Sequence, residues 1–327
     1  MTTRPRIVVL DDWERGFARL ARWHDLQARA DITLHHHALQ GPALLDAIHD
    51  AQVVVLNRDR TPFTADLIAA LPQLRYVVHT GPRNRRLDRQ ALAQRGIPVS
   101  HTDGGPSRES TTELCWSLIL GAARQLEAHA TRLRAGHWRP EASLPLSPVL
   151  QGQRLGLVGL GNIGQRVARL GQAFGMEVVA WSPHMTPARA AAHQVTAVGL
   201  DDLLATSLVV SLHLVAAPST RHLLNAARLA TMRPDAILVN TSRAELIDTA
   251  ALVAALRQGR PGFAALDVFD VEPIDPADPL LALPNVLLSP HLGFVSEPSW
   301  QQFVHDVTES LTAWLDGTPL PRLLPPE

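Results

Sequence analysis

One stretch constrains the fold of this chain more than any other: Leu155 Gly156 Leu157 Val158 Gly159 Leu160 Gly161 Asn162 Ile163 Gly164. A short apolar run meets glycines at 159, 161 and 164, and a helical pattern, Gln165 to Phe174, follows. The order is strand, turn, helix. In the G-x-G-x-x-G spacing the first glycine permits a tight turn, the second lets a pyrophosphate approach the backbone, and the third lets helix pack on strand. Amides of the helix N-terminus, with those of Asn162 and Ile163, then face the phosphates. The apolar run Glu177 to Trp181 closes a β-α-β unit, so the turn has the context that a dinucleotide-binding reading requires.

The same alternation extends in both directions. Strand-like runs at 6–10, 31–35, 52–56, 74–79 and 97–100 are separated by helical patterns such as Trp13 to Arg29 and Thr64 to Leu71. From the strand that enters the glycine turn onward, runs at 154–158, 177–181, 207–212, 236–240, 263–267 and 286–289 predict a six-stranded sheet. Strands alternating with helices mean parallel sheets with both faces covered. Asp103 Gly104 Gly105 Pro106 interrupts the pattern, a helix-compatible stretch runs from Arg108 to Arg134, and a proline-rich segment, Pro140 to Pro148, follows. The expected class is therefore α/β, with two doubly wound parallel-sheet domains. A domain of residues 104–292 is inserted in one of residues 1–103 and 293–327, which the amphipathic stretch Ser299 to Leu315 completes. At 327 residues the chain is long enough for two cores.

Composition narrows the partners. The formal net charge of -1 provides no global basic field for nucleic acid or an anionic membrane, which leaves small molecules. All 30 basic residues are arginine, which excludes Schiff-base lysines and P-loop lysines and makes arginine the anion clamp. The single cysteine, Cys115, sits in the apolar pattern Leu114 to Ala122 and is a poor nucleophile candidate. One cysteine also suggests a reducing compartment, and with no signal-type apolar segment before Ile7 the expected location is cytoplasmic. His35 His36 His37 reads as an edge or surface strand, because consecutive strand residues alternate faces and no acidic or cysteine cluster accompanies them.

Three polar residues follow strands of the second domain: Arg243 in Asn240 Thr241 Ser242 Arg243, Glu272 before Pro273, and His291 in Ser289 Pro290 His291 Leu292 Gly293. Carboxyl ends of parallel strands line the ligand crevice. An arginine, a carboxylate and a histidine there supply an anion clamp, a partner that holds an imidazolium, and a proton donor, a set suited to hydride transfer to a 2-oxo acid.

With these residues in hand, the chain resembles the D-isomer-specific 2-hydroxyacid dehydrogenase family over essentially its whole length. The matching blocks are Gly159 to Gly164, Val209 to His213, Leu238 to Arg243, Ala264 to Pro273 and Leu288 to Gly293. The resemblance implies that Arg243 binds the substrate carboxylate and carbonyl, that His291 is the acid or base, and that Glu272 pairs with it. It implies that Thr241, Ser242 and Asp267 line the nicotinamide end of an NAD site, NADP being possible, and that the protein is a homodimer through its cofactor domain. The segment Gly136 to Pro140 resembles the dimer region.

Some positions depart from that pattern. Ser182 stands where many relatives carry an aspartate for the adenosine ribose. The loop from His79 to Asn84 aligns with the backbone cradle for the substrate carboxylate, where Gly81 is expected to contact substrate but Pro82 has no N–H to offer. Arg83, Arg58 and Arg60 are candidates to compensate, and Ala244 follows the arginine where glycine is frequent. A dinucleotide-sensing regulator of the same fold without turnover is the alternative reading. Three retained catalytic residue types argue against it.

Overall fold

The computed structural model describes residues 4–138 and 146–325. Parts of the expected proline-rich segment and of the expected dimer segment, at 139–145, lie outside the described residues. The chain divides into two compact units, residues 1–107 with 296–327, and residues 108–295.

The first unit holds β1 (Arg6–Val9), β2 (Asp31–Leu34), β3 (Val53–Leu56), β4 (Tyr76–His79) and β5 (Val99–His101) in the order β2-β1-β3-β4-β5. Every pairing is parallel. That is a doubly wound order with its switch point between β1 and β3. Three of the central strands carry buried side chains throughout their last three residues, as a sheet covered on both faces requires. The helix Glu297–Asp316 packs on this sheet through aromatic contacts. Trp314 stacks on Tyr76 at 6.4 Å, Trp300 meets Phe17 edge-on at 5.4 Å, and Thr308 Oγ1 accepts from Trp23 Nε1 at 2.8 Å. The C-terminal residues thus complete the first core. The three histidines follow edge strand β2, and His36 Nδ1 lies 3.1 Å from the Asp12 carbonyl.

In the second unit, β6 (Arg154–Val158), β7 (Glu177–Trp181), β8 (Thr196–Ala197), β9 (Val209–Leu212), β10 (Ile237–Asn240), β11 (Phe263–Leu266) and β12 (Val286–Leu288) form one parallel sheet. Their order is β12-β11-β10-β9-β6-β7-β8, with the switch point between β6 and β9. This sheet has seven strands where the sequence predicts six. The additional strand, β8, is two residues long, too short for alternation to reveal.

Two helix expectations also need correction. The pattern Trp13 to Arg29 is two helices, Gly16–Leu20 and His24–Arg29, separated by residues 21–23. The stretch from Arg108 to Arg134 is broken at Gln125, whose φ of 49° is left-handed, into Ser107–Ala123 and Leu126–Arg134. Helical periodicity shows which residues share a face, but it does not show one left-handed residue that redirects the chain.

Candidate active site

The glycine turn has the local geometry its spacing implies. Gly159 adopts φ +109°, and a Cβ there would lie 2.7 Å from the His213 carbonyl carbon across the switch point. Its N–H donates to the Trp181 carbonyl at 2.8 Å, and the His213 N–H donates to the Val158 carbonyl at 2.8 Å. The turn is therefore clamped between β7 and β9. Gly164 sits in the first turn of the helix Asn162–Ala173, where a Cβ would fall 2.3 Å from the Gly159 carbonyl oxygen. At Gly161, the N-cap of that helix, a Cβ would meet nothing within 4 Å. One glycine turns the chain, one lets helix approach turn, and one leaves open space before the amides of a 12-residue helix. These residues fit a dinucleotide pyrophosphate. Asn162 is exposed in that first turn, whereas Ile163 packs against the core beneath. Ser182, half-buried, follows β7, and its carbonyl accepts from the Met185 N–H at 3.0 Å.

The three polar candidates come from adjacent strands. Because β10, β11 and β12 are parallel neighbours, the segments that follow them emerge at one edge of the sheet. Asn240 ends β10 and ties the next turn: its Oδ1 accepts from the Ser242 N–H at 3.0 Å and its Nδ2 donates to the Arg243 carbonyl at 2.9 Å. Ser242 Oγ donates to the Leu214 carbonyl at 2.5 Å, and Arg243 Nη1 donates to the Ser242 carbonyl at 2.7 Å. Thr241 is buried at the base of this turn.

After β12, His291 adopts φ +55°, a left-handed conformation that only a few per cent of non-glycine residues take. Asp267, at 1 % exposure, holds that loop. Its Oδ1 accepts from Ser289 Oγ at 2.6 Å and from the Leu292 N–H at 2.7 Å, and its Oδ2 accepts from the Gly293 N–H at 2.9 Å. Thr111 Oγ1 donates to the Gly293 carbonyl at 2.9 Å, and Phe294 meets the His291 ring edge-on at 5.8 Å. Burial raises the Asp267 carboxyl above its ordinary range, and the Ser289 hydroxyl, the Leu292 amide, the charge of His291 and the Gly293 amide work against that rise.

Glu272 reaches His291 from the neighbouring loop. Its Oε2 lies 2.6 Å from His291 Nδ1, and its Oε1 accepts from the Phe269 N–H at 3.0 Å. Burial would raise this carboxyl. The His291 hydrogen bond and charge, the Phe269 amide and the Arg243 charge outweigh it, so Glu272 is held below the usual glutamate range. Arginine, glutamate and histidine therefore share one electrostatic environment. With Nδ1 committed to Glu272, Nε2 remains the nitrogen for exchanging a proton with a ligand.

Sequence reasoning passes over the supports of this site: Asn240, Ser289, Phe294 and the Phe269 amide. Asn240 carries a signal, an asparagine directly after an apolar run, the residue type that ties turns through its side chain. Behind the turn, Cys115 Sγ lies 3.3 Å from Ser211 Oγ, which lies 3.0 Å from His213 Nε2. Burial pushes the Cys115 thiol up to about 11, in keeping with its unreactive reading.

Arg58, Gly81 and Arg83 belong to the first unit. Arg58 follows β3 with a left-handed φ of 57°, and its N–H donates to Thr80 Oγ1 at 2.9 Å. Its guanidinium lies against Gly81, where a Cβ would fall 1.7 Å from Nη1. The Gly81 N–H donates to Thr102 Oγ1 at 2.7 Å, and Arg83 is exposed. Arg60 makes a two-point contact with Glu14 at 2.5 and 2.8 Å, and its guanidinium stacks 4.1 Å over Trp13. With its charge paired in this way, Arg60 is a fixed part of the scaffold.

A doubly wound sheet with a fitted glycine turn and an arginine, glutamate and histidine at its carboxyl edge defines a nicotinamide-dependent class of protein. Residues 116–293 match the family model described as D-isomer specific 2-hydroxyacid dehydrogenase, NAD binding domain. A glyoxylate reductase of Aeropyrum pernix is 39 % identical, over 98 % of this chain and 96 % of its own length. A D-3-phosphoglycerate dehydrogenase of Mycobacterium bovis is 36 % identical over 85 % of this chain, which spans 52 % of that longer protein. Among solved structures, a phosphoglycerate oxidoreductase from Vibrio cholerae superposes with a TM-score of 0.89 at 34 % identity, covering 96 % of this chain and 100 % of that one. The chain belongs to the D-isomer-specific 2-hydroxyacid dehydrogenase family. These relatives carry the names of oxidoreductases, and none of them favours the regulatory alternative.

Proposed function

We propose that this protein transfers a hydride between a nicotinamide cofactor and a D-2-hydroxy acid or its 2-oxo acid. The observation that carries the reading is the 2.6 Å Glu272–His291 pair, held in a loop that Asp267 organises, beside the Arg243 turn. A bound nicotinamide supplies or accepts the hydride. In the reductive direction His291 Nε2 gives its proton to the substrate oxygen, while Glu272 at Nδ1 orients the ring and fixes which nitrogen faces the substrate. Arg243 polarises the carbonyl and neutralises the carboxylate. In oxidation the same imidazole takes the proton back.

Gly159, Gly161, Asn162, Ile163 and Gly164 would hold the pyrophosphate, with Ser182 near the adenosine ribose and Thr241, Ser242 and Asp267 near the nicotinamide. Ser182 neither repels a 2′-phosphate nor grips a ribose diol as a carboxylate would, so NAD is favoured only modestly over NADP. Arg58, Gly81 and Arg83 would contact the substrate. A homodimer is the proposed assembly, supported by the helix Leu126–Arg134, none of whose residues is buried, and by Leu126 and Leu133, 58 % and 54 % exposed. The proposed location is cytoplasmic. Among the described residues no helix is long and apolar enough to cross a membrane.

The direct test is oxidation of NADH and of NADPH at 340 nm with a panel of 2-oxo acids. Turnover with at least one acid is the expected result. Tight cofactor binding without turnover on any of them would replace this reading with the regulatory one.

A further inference from the structure

The helix Leu126–Arg134 of the second unit presents two different faces. At about 100° per residue, Leu126 and Leu133 share one side of it, while Glu127, Ala128, Thr131 and Arg132 fall on the opposite side. Those four residues line a cavity of about 330 Å³, and Leu280, Leu281, Leu283 and β12 line it too. β12 is the edge strand of its sheet. A strand of a parallel sheet is ordinarily covered on both faces, yet Leu287 and Leu288 stay half-buried here, and Leu281 is 45 % exposed. The surface that this helix overlies is therefore apolar and only partly covered.

Arg132 brings a charge to that surface. Its Nη1 is buried, and among the described residues it has no hydrogen-bond partner and its guanidinium no paired carboxylate. A guanidinium offers five N–H donors, and a buried donor without an acceptor carries the full cost of its lost hydration. Glu127 is the carboxylate that lines the same cavity, but it stands about 140° from Arg132 around the helix, outside the i, i+3 and i, i+4 spacings at which side chains meet. Apolar walls with one unmet cationic donor are the complement of a small amphipathic anion, and the planar fork of arginine matches a carboxylate.

We propose that this cavity is a binding site for an aliphatic monocarboxylate, with the carboxylate paired to Arg132 and the chain laid along Leu281, Leu283 and the half-buried side chains of β12. The volume lies at the lower end of the range for ligand pockets, which suits a short chain. None of Arg243, Glu272 and His291 lines the cavity, so the site is distinct from the proposed catalytic edge and does not rest on the hydride-transfer reading. The cavity also lies on the face of the helix opposite Leu126 and Leu133, which leaves those two side chains free for the proposed dimer.

The experiment is isothermal titration of the full chain with butanoate, hexanoate and octanoate, and with hexan-1-ol as the neutral match to hexanoate. Each methylene removed from water tightens binding by up to about fourfold, so affinity should rise along the series of acids. Hexanoate should bind at least ~10-fold more tightly than hexan-1-ol, the scale of one charge-assisted hydrogen bond. Arg132→Gln should remove that difference. Leu281→Glu, which sets a like charge at a partly exposed wall position, should weaken the acids by about tenfold or more. Both variants should melt near the parent temperature, and the Arg132-dependent binding should persist in Arg243→Gln. Binding that is lost in Arg243→Gln and parental in Arg132→Gln would place the acids at the catalytic edge and overturn the proposal. Affinities unchanged in both Arg132→Gln and Leu281→Glu would do the same, as would equal affinity for hexanoate and hexan-1-ol. Absence of saturable binding up to about 10 mM would also overturn it.

Discussion

The carboxylate of Glu272 lies 2.6 Å from Nδ1 of His291, although the two residues are 19 apart in the chain and follow different strands. That contact leaves Nε2 as the imidazole nitrogen open to a ligand, and on the proposed reading it sets a carboxylate beside the ring that carries the proton. The depressed proton affinity of Glu272 keeps it ionised throughout the neutral range. Replacing it by glutamine retains a hydrogen-bonding side chain but removes the charge. Reductive kcat/KM in Glu272→Gln should fall about 10- to 100-fold at pH 7.5, because the imidazole loses the carboxylate that orients it. Steady-state rates at that pH test this. A parental kcat/KM in the variant would show that the pair does not govern the proton.

Asp267 acts on His291 through the backbone. Its carboxylate accepts the Leu292 and Gly293 amides and the Ser289 hydroxyl, which together hold a histidine at φ +55°. In Asp267→Asn the new amide group would oppose one of these donors, leaving a buried N–H unpaired at a cost of about 1 to 3 kcal/mol. The expected outcome is a loss of thermal stability together with a kcat reduced by at least tenfold, since the loop would relax from its left-handed turn. Differential scanning calorimetry and saturation kinetics on one preparation measure both.

The glycine turn makes two distinguishable predictions. In Gly164→Ala the new Cβ would fall 2.3 Å from the Gly159 carbonyl, so both stability and NADH affinity should decline. In Gly161→Ala the new methyl meets no protein atom within 4 Å. That variant should melt near the parent temperature and still lose about tenfold or more in NADH affinity, because the methyl would stand where the pyrophosphate approaches. Isothermal titration with NADH separates the cases, and parental affinity in Gly161→Ala would place the phosphates elsewhere.

Acid should weaken the first unit through His79. This residue ends β4 at 0 % exposure, and neither ring nitrogen has a well-formed hydrogen bond among the described residues. Burial lowers its proton affinity to about 4, an effect that the Thr80 backbone offsets only in part. An unfolded chain takes up this proton near pH 6.5 and the folded chain only near 4, so stability is complete above pH 6.5 and declines as pH falls between those values. The full effect is on the order of 3 kcal/mol. Urea midpoints measured from pH 8 to pH 4.5 should show that decline. His79→Leu, which gives up no well-formed ring hydrogen bond, should flatten it and stabilise the protein most at the acid end.

Much of this architecture is legible in the order of the residues, and for identifiable reasons. Buried parallel strands such as Val53–Leu56 and Val209–Leu212 are continuous apolar runs, and the glycine spacing marks its own turn. Arg243, Glu272 and His291 stand out because charged residues in the loops after such runs belong to the ligand edge of a parallel sheet. What stays hidden depends on three-dimensional neighbours. The left-handed Gln125 and the two-residue β8 leave no periodic trace, and Asn240 and Ser289 act through contacts that spacing does not encode. In sequence Arg60 is indistinguishable from its neighbouring arginines, and only the contacts with Glu14 and Trp13 set it apart.

The central claim, that His291 moves the proton in a hydride-transfer reaction, is tested most directly by His291→Gln in a single measurement of 2-oxo acid reduction alongside NADH binding. The account predicts a kcat lowered by about 100- to 10,000-fold with NADH affinity within about twofold of the parent. Turnover at the parental rate with the same pH profile would contradict it.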